Sequence, residues 1–458
     1  MGVPGEWLSE VRDSHHRRRG GASPNLVRHG TPLAANGDPS GRRRSSAPAQ
    51  PHTISETMTG FRQLRISGAV AASAVAVACA VTPPDPAAPV PAQQLLITQP
   101  SITPPPITPL ASCVQATLDA MTPRARVGQL FLLGISASKA DPLSPLIERF
   151  APGGVFLTGR SAIGVKATAT SIATIQRAGA SGGIGMFIAT DQEGGQVQVL
   201  SGPGFSPIPS AKVQGSWAPE VLQVAATKWG RELHAAGVNV NLAPVADVLS
   251  PALGTANAAI GRYDRAFGTD PQVAAAHVLA FTRGMRDAGV ISTVKHFPGL
   301  GAVRGNTDFS AGVVDQQTTA IDPDLLPFTS ASQAGTPWLM VSSAIYTKID
   351  ADRAAVFSPA VITTLLRDKI GFRGMIVSDD LGRAEQVAAV APGQRAVRFL
   401  AAGGDIVLTA DPATLSPMID AVLSAATNDP GLAARVTDAQ RRILEAKSHL
   451  GLLPCPPS

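Results

Sequence analysis

Eight short apolar segments recur along the chain beyond residue 111. Each has the length of a strand, and each consists largely of β-branched or other apolar residues. The segments occupy residues 129–134, 154–158, 185–190, 238–245, 290–294, 338–342, 375–377 and 405–408. This pattern predicts eight strands, most of them buried.

Helical patterns separate most of the predicted strands. One predicted helix is closed by Gly237 and has an apolar face at three- and four-residue spacing, formed by Leu222, Ala226, Trp229 and Leu233. Another has Ser358 as N-cap, Pro359 at its first position and Gly371 after its end. The apolar face of this second helix consists of Val361, Ile362, Leu365 and Leu366.

Strand and helix therefore alternate eight times, which predicts a parallel sheet. Eight such units in about 340 residues fit a closed barrel better than an open, doubly wound sheet. We predict an α/β fold with a single (β/α)8 TIM barrel over residues 111–458, preceded by a disordered, Pro-rich tether.

The upstream sequence predicts export. An apolar run of about 13 residues follows Arg62 and Arg65, which is the length of a signal-peptide core and too short to span a bilayer. The run ends in Ala-Val-Ala-Cys, similar to a bacterial lipobox, so we predict a lipoprotein signal peptide over residues 58–79 with Cys79 lipidated. The alternative is an ordinary signal peptide with an incidental cysteine.

Two further segments flank this signal. Residues 1–57 are polar and rich in Arg, Gly, Pro and Ser, so we predict that they are disordered or not translated, with Met58 as the true start. Residues 80–110 are rich in proline and predict an extended linker between membrane and barrel. The expected location is the extracytoplasmic face of the cell membrane, or the cell wall.

Two cysteines remain, at the two ends of the predicted domain. Cys113 and Cys455 would lie close together if the first and last barrel elements meet. In an oxidising compartment they form a candidate disulfide, which would stabilise the fold by roughly 5 kcal/mol in the chain-entropy model. The alternative is two free thiols.

The net charge of +5 comes from the upstream segment. Ten of the 38 basic residues and five of the 33 acidic residues lie within residues 1–65, which leaves 28 of each sign in the remaining chain. A neutral domain lacks the sustained basic surface that a phosphate backbone requires. We therefore expect no nucleic-acid partner.

Ionisable residues follow several predicted strands. In a (β/α)8 barrel the strands' C-terminal ends meet at one mouth, so these side chains should converge there. They lie in the segments Asp191–Gly195, Asp247, Lys295–His296 and Ser378–Asp380. Taken singly, each could be a structural pair or a cap; together they indicate a ligand site, because buried carboxylates are costly.

The type of chemistry follows from motif content. The sequence has no His/Cys cluster with metal-ligand spacing, no Gly-x-Ser-x-Gly elbow and no glycine-rich phosphate loop. We therefore predict carboxylate chemistry without a metal or a cofactor.

The chain resembles the family 3 glycoside hydrolases, in particular the bacterial β-N-acetylglucosaminidases of the lipoprotein branch. Four motifs carry the resemblance, over roughly residues 115–450: Asp-Gln-Glu-Gly-Gly from Asp191, Leu-Ala-Pro-Val-Ala-Asp-Val ending at Val248, Lys-His-Phe-Pro-Gly from Lys295, and Ser-Asp-Asp-Leu from Ser378. The resemblance implies a monomeric, retaining exo-enzyme that removes terminal β-linked N-acetylglucosamine from cell-wall or related glycans.

The resemblance also implies residue roles. Asp379 is the implied nucleophile, and Asp191, Arg265, Lys295 and His296 are the implied sugar contacts.

Several motif positions depart from the family pattern. The loop that usually carries Asp-Ser-His has Asn306-Thr307-Asp308, and Leu300 replaces a usual histidine. We hypothesise that Asp308 is itself the acid/base, with a pKa that rises when a mobile loop closes over substrate, and that its charge favours hydrolysis over phosphorolysis. Two usual arginines are replaced by Gln196 and Val199.

These departures leave alternatives open. The chain could be a β-glucosidase-type or phosphorolytic enzyme of the same family, or a non-catalytic lipoprotein that binds glycan. Retention of Asp379 favours an enzyme.

Overall fold

Eight parallel strands form the centre of the fold, one at each place where the sequence predicts a strand. The structure is a computed structural model and describes residues 108–138, 144–179 and 183–455. The strands are β1 (Phe131–Ser136), β2 (Gly154–Thr158), β3 (Phe187–Thr190), β4 (Val240–Asn241), β5 (Ile291–Phe297), β6 (Trp338–Val341), β7 (Met375–Ser378) and β8 (Val407–Thr409).

The strands pair in the order β7-β6-β5-β4-β3-β2-β1-β8, with every pairing parallel. A single parallel bridge between Val377 and Ile406 connects the two ends of this sheet. The sheet is therefore a nearly closed barrel, and the predicted (β/α)8 fold is confirmed. The strand interiors are buried on both sides, which explains their continuous apolar sequences.

Helices connect the strands and cover the barrel. They are α1 (Pro109–Ala120), α2 (Pro123–Gly128), α3 (Ser144–Phe150), α4 (Gly164–Gly179), α5 (Ala211–Gln214), α6 (Pro219–Ala235), α7 (Pro271–Asp287), α8 (Leu326–Gln333), α9 (Pro392–Ala401), α10 (Leu415–Asn428) and α11 (Pro430–His449). The connection from β6 to β7 contains a π-helix, Ala360–Lys369. Short 3₁₀ turns lie at Gly254–Ala256, Gly261–Tyr263, Pro323–Leu325, Ala355–Phe357, Glu385–Val387 and Pro412–Thr414.

Short strands in the loops after the barrel strands form two small sheets. Gln192–Gly194 and Val197–Gln198 form a hairpin after β3. Val314–Asp315, Ile345–Tyr346 and Asp350–Ala354 form a three-stranded sheet from the loops after β5 and β6. Both lie on the side of the barrel where the strands end, so they shape its mouth.

Both helices that were singled out in the sequence are present. The predicted face of α6 is buried, and Gly237 follows the helix with a φ of 86° in the left-handed region that favours glycine. The Ser358 hydroxyl accepts a hydrogen bond from the Val361 N–H at 3.2 Å, as expected of an N-cap. The helix that follows winds as a π-helix, which the apolar spacing did not predict.

A disulfide joins α1 to the C-terminal segment. Cys113 and Cys455, the predicted candidate pair, are bonded with their Cα atoms 5.6 Å apart. Around them α1 packs on α11 and on Ile184, which precedes β3. The two ends of the described chain therefore meet at the barrel face where strands begin, opposite the mouth.

The predicted upstream segment 1–57, the signal peptide, Cys79 and the Pro-rich linker as far as residue 107 lie outside the described residues. The last residues of the predicted linker, Pro109 and Leu110, already belong to α1. Among the residues that are described, no helix is long and apolar enough to cross a membrane.

A lysine is buried at the closed end of the barrel. Lys447 is fully buried, and its Nζ donates to the Oε1 of Gln129 at 2.6 Å. The ammonium also lies 5.3 Å from the ring centroid of Phe187. Burial lowers the pKa of Lys447 to about 7, because a charged ammonium loses its hydration there.

Lys447 should make stability depend on pH. Since its pKa is about 7 when folded and 10.5 when unfolded, unfolding takes up a proton between these values. We expect the free energy of unfolding to rise with pH across this window by up to about 1.4 kcal/mol per unit. Chemical denaturation of the wild type and Lys447→Met from pH 6 to pH 10 measures this, and equal slopes for both proteins would contradict it.

Candidate active site

The ionisable residues predicted to converge do lie together at the C-terminal mouth of the barrel. Asp191 follows β3, Lys295 and His296 belong to β5, and Asp379 follows β7. Asp247 lies beyond β4, just after Val245, which bridges to Lys295. All five are at most 1% exposed, so the site is a buried cluster of charges rather than a solvated rim.

Lys295 lies at the centre of this cluster. Its Nζ is 2.6 Å from the Oδ1 of Asp191 and 2.5 Å from the Oε1 of Glu193. Glu193 comes two residues after Asp191 in the hairpin that follows β3, so both carboxylates reach the same ammonium. A fully buried lysine requires such partners, because a lone buried charge is strongly unfavourable.

Arg265 completes the charge balance from the opposite side of Glu193. Its Nε and Nη2 each lie 2.8 Å from a different Glu193 oxygen, a bidentate pairing, and its Nη1 donates to the Ala259 carbonyl. Burial alone would raise the pKa of Glu193, but Arg265 and Lys295 together lower it to about 2. Glu193 therefore stays ionised and orients both cations.

Asp247 and His296 form a second buried pair. The His296 Nδ1 lies 2.7 Å from the Asp247 Oδ2, while the Asp247 Oδ1 accepts from the backbone N–H groups of His296 and Leu300. Burial holds the pKa of His296 well below its usual value and raises that of Asp247 to about 7. The neutral ring donates from Nδ1, and its Nε2 faces the Arg265 Nη2 at 3.4 Å.

Asp379 and Asp380 have different surroundings despite being adjacent. The Asp380 carboxylate accepts from the N–H groups of Gly382, Arg383 and Ala410, so it fixes the turn after β7 and links it to the end of β8. Asp379 is fully buried, and its Oδ1 accepts from the Asp380 N–H at 2.9 Å. Asp380 thus has the structural role of a cap that the sequence left open for this motif, although it caps a turn: the next α-helix, α9, begins at Pro392.

The loop after β5 brings Asp308 into the same cluster. Asp308 is 5% exposed, and its N–H donates to the Asn306 side chain at 2.9 Å. Burial, reinforced by the negative charges of Asp380 and Asp191, raises the pKa of Asp308 to about 7. Burial is thus the cause of the raised pKa, and the chain itself supplies that burial in this conformation of the loop.

Two carboxylate oxygens in the cluster lack protein partners. Within the described part of the chain, the Oδ2 of Asp191 and the Oδ2 of Asp308 are buried and have no hydrogen-bond partner. Buried polar atoms are normally satisfied, so such oxygens indicate that a ligand supplies the donors.

The predicted sugar contacts thus differ in their availability. Asp191 has an oxygen to offer, whereas Lys295, Arg265 and His296 are engaged with carboxylates, a carbonyl or each other. These three orient the site, and their direct contact with sugar stays a prediction.

The remaining departures from the family pattern are also explained by packing. Leu300 is fully buried, with its N–H on Asp247. Val199 is 1% exposed in the hydrophobic core, so its position does not present a side chain to ligand. The Gln196 carbonyl accepts from Arg160, an arginine that follows β2.

Sequence reasoning assigned no role to Glu193 or Asp247. The two-residue spacing between Asp191 and Glu193 could have revealed the first, since alternate residues of an extended segment share a face. Asp247 was already among the residues expected at the mouth, and the structure adds its pairing with His296.

Metal ligation finds no support in the geometry. Among the residues described, no group of three or more His, Cys, Asp or Glu side chains is placed to hold a metal ion.

A parallel barrel that gathers carboxyl groups at its C-terminal mouth has the arrangement of a barrel glycosidase. Residues 122–446 match the glycosyl hydrolase family 3 N terminal domain. The chain therefore belongs to glycosyl hydrolase family 3, and the predicted class of enzyme, a glycoside hydrolase, is confirmed.

Individual relatives agree with this assignment. The chain is 32% identical over 312 residues to a beta-hexosaminidase from Xanthomonas oryzae pv. oryzae, covering 66% of this chain and 90% of that protein. A crystal structure of a beta-N-acetylhexosaminidase from Beutenbergia cavernae is 48% identical with a TM-score of 0.70, covering 72% of this chain and 99% of that one. A family 3 beta-N-acetylglucosaminidase from Paenibacillus sp. is 27% identical with a TM-score of 0.66, covering 73% and 63%.

Glu193 should contribute stability that depends on its charge. Its pKa is 4.5 unfolded and about 2 folded, so the contribution is complete above pH 4.5 and is lost as the pH falls towards 2. We expect Glu193→Gln to lower the free energy of unfolding by about 3 kcal/mol at pH 7 and by less at pH 3. Chemical denaturation at the two pH values measures the difference.

Glu232 provides the control. Its carboxylate accepts from the N–H and hydroxyl of Ser206. We expect Glu232→Gln to cost about 1 kcal/mol. If the two variants lower the free energy of unfolding equally at pH 7, the pairing of Glu193 with Lys295 and Arg265 does not contribute the expected stability.

Proposed function

We propose that the protein is a retaining exo-β-N-acetylglucosaminidase. It hydrolyses terminal β-linked N-acetylglucosamine through a covalent glycosyl-enzyme, with Asp379 as nucleophile and Asp308 as acid/base. β-N-acetylhexosaminidase activity has the support of the similar proteins that carry this name. The observation that carries the mechanism is the set of buried carboxyl groups at one mouth, in which Asp191 and Asp308 each keep an oxygen without a protein partner.

The first step uses Asp379 and Asp308 together. The Asp379 carboxylate attacks the anomeric carbon while the bond to the leaving oxygen breaks and Asp308 protonates that oxygen. Asp191 accepts a hydrogen bond from a sugar hydroxyl, and the buried cations hold Asp191 in place. Burial of the ring in this charged cluster supplies orientation.

The second step returns the enzyme to its starting state. Asp308, now ionised, takes a proton from a water molecule that attacks the anomeric carbon and displaces the Asp379 carboxylate. Two inversions give the β-anomer as product. A pKa of about 7 suits Asp308 to both steps, because the group can then donate and accept a proton near neutral pH.

Hydrolysis is favoured over phosphorolysis by charge. In the second step Asp308 is an anion beside Asp380 and Asp191. These negative charges repel a phosphate dianion and do not repel a neutral water molecule.

An exported location accords with the disulfide. The bond between Cys113 and Cys455 belongs to an oxidising compartment. We extend the proposal accordingly: the enzyme is a monomer anchored through a lipid on Cys79, and its natural substrate is a cell-wall fragment such as a muropeptide.

Asp379 should be required for turnover and not for binding. We expect Asp379→Asn to reduce kcat by about 10³-fold or more while sugar affinity is kept. With the wild type, a 5-fluoro glycosyl fluoride should leave one sugar on the protein, which intact mass and peptide mapping would locate on Asp379. Asp380→Asn is the control and should still accept the label; a label on another residue would refute the assignment.

Asp308 should set the alkaline limb of the pH profile. The acid must be protonated in the first step, so kcat/KM for a disaccharide is expected to hold below the pKa of about 7 and to fall above it. In Asp308→Asn this fall above pH 7 should be absent, and the rate on substrates with poor leaving groups should be about 10²- to 10⁴-fold lower. Asp247 also has a pKa of about 7, so a limb that persists in Asp308→Asn belongs to Asp247 and removes Asp308 from the role.

A further inference from the structure

The loop that carries Asp308 is held by the segment that follows the nucleophile strand. The N–H of Gln386 donates to the Thr307 carbonyl at 3.0 Å, and the N–H of Glu385 donates to the Asp308 carbonyl at 3.2 Å. Both donors belong to the short 3₁₀ turn Glu385–Val387, which comes a few residues after Asp379. The proposed acid and the proposed nucleophile are therefore connected through backbone hydrogen bonds.

The Gln386 side chain extends this connection to the far end of the loop. Its Oε1 accepts from the Val313 N–H at 2.8 Å, and its Nε2 donates to the Val313 carbonyl at 3.2 Å. Val313 is 4% exposed and leads into the strand Val314–Asp315. One glutamine thus holds the loop at two points, at Thr307 through its backbone N–H and at Val313 through its side chain.

The other flank of the loop is less firmly packed. Loop residues 310–314 border a cavity of about 510 Å³, together with Ser250, Leu253 and Arg304. Gly312, in the same stretch, has no atom near the position that a Cβ would occupy. Val313 also accepts from the Ile345 N–H at 3.0 Å, and Val314 pairs with Ile345, so the loop is held at this point by the strand after β6 as well. The hydrogen bonds from Glu385 and Gln386 are the ones that tie it to the segment that follows β7.

We propose that Gln386 is a positioning residue that sets the reach of Asp308 to the leaving oxygen. The proposal rests on the proposed role of Asp308 as acid/base. Proton transfer requires the acid within hydrogen-bond reach of the departing oxygen, and a displacement of about 1 Å can cost about 10²-fold in rate. Gln386 touches no reacting atom and acts through the loop.

The variant that tests this is Gln386→Met. It keeps the length of the side chain and removes the two side-chain hydrogen bonds to Val313, while the backbone hydrogen bond to Thr307 is kept. We expect kcat/KM to fall about 10- to 100-fold for a disaccharide or an alkyl glycoside, whose leaving groups need a proton. For a dinitrophenyl glycoside, whose leaving group needs none, the change should be less than about threefold. An equal loss on all three substrates would mean a merely structural role and would overturn the proposal.

The chain offers a matched control at Gln176. Its Nε2 and Oε1 pair with the carbonyl and N–H of Met186, each at 2.9 Å, in the same bidentate arrangement but at the end of the barrel where strands begin. We expect Gln176→Met to lower the melting temperature to a similar degree and to leave the ratio of rates on good and poor leaving groups unchanged. If Gln176→Met changes that ratio as much as Gln386→Met, the effect is general loosening and the proposal fails.

A second variant keeps the proposal testable if Gln386→Met does not fold. Gln386→Glu retains an acceptor for the Val313 N–H but turns a carboxylate towards the Val313 carbonyl, so the loop should again shift. Its added negative charge near Asp308 should move the alkaline limb of kcat/KM to higher pH, because it disfavours ionisation of that group. An unmoved limb together with wild-type leaving-group dependence would overturn the proposal.

Asp308→Asn on the same substrates separates the two levels of inference. If Asp308→Asn loses as much rate on the dinitrophenyl glycoside as on the disaccharide, the proposed acid is wrong and the positioning role falls with it. If Asp308→Asn loses more rate on the disaccharide while both Gln386 variants lose equally on both substrates, the acid stands and only the role of Gln386 is refuted.

Discussion

The pairing of Lys295 with Asp191 and Glu193 is the constraint on which the site depends. A fully buried ammonium must have anions around it, and these two carboxylates in turn fix the hairpin that follows β3. Arg265 balances the second negative charge, and its contact with His296 joins this group to the pair formed with Asp247. Removal of Asp191, Glu193, Lys295 or Arg265 would leave the buried charges unbalanced, so these four side chains act as one rigid platform.

The carboxyl groups at this mouth differ in their pKa values. Glu193 is held ionised by two cations, while Asp308, which lacks a cation of its own, has a pKa near neutrality. A carboxyl group of this kind is normally ionised at neutral pH, and burial is what raises its pKa to about 7 here. The loop that carries Asp308 is held by hydrogen bonds from Glu385 and Gln386, which belong to the same loop as Asp379.

Periodicity along the chain was sufficient to predict the barrel, because each strand is buried on both faces and each helix on one. Strand ends also predicted Asp191, Lys295 and Asp379, since parallel strands finish at a common edge. The contact of Gln386 with Val313 joins residues 73 positions apart through a side-chain amide, and no local pattern encodes it. Lys447 was equally hidden, because a lysine in a helix is normally solvated.

The disulfide and α1 have a consequence for access. They close the barrel at the face opposite the mouth, and Thr108, where the described chain starts, lies at the N-terminus of α1. The charged mouth is therefore on the face that neither end of the described chain covers, so a ligand can approach it without displacing α1 or the disulfide.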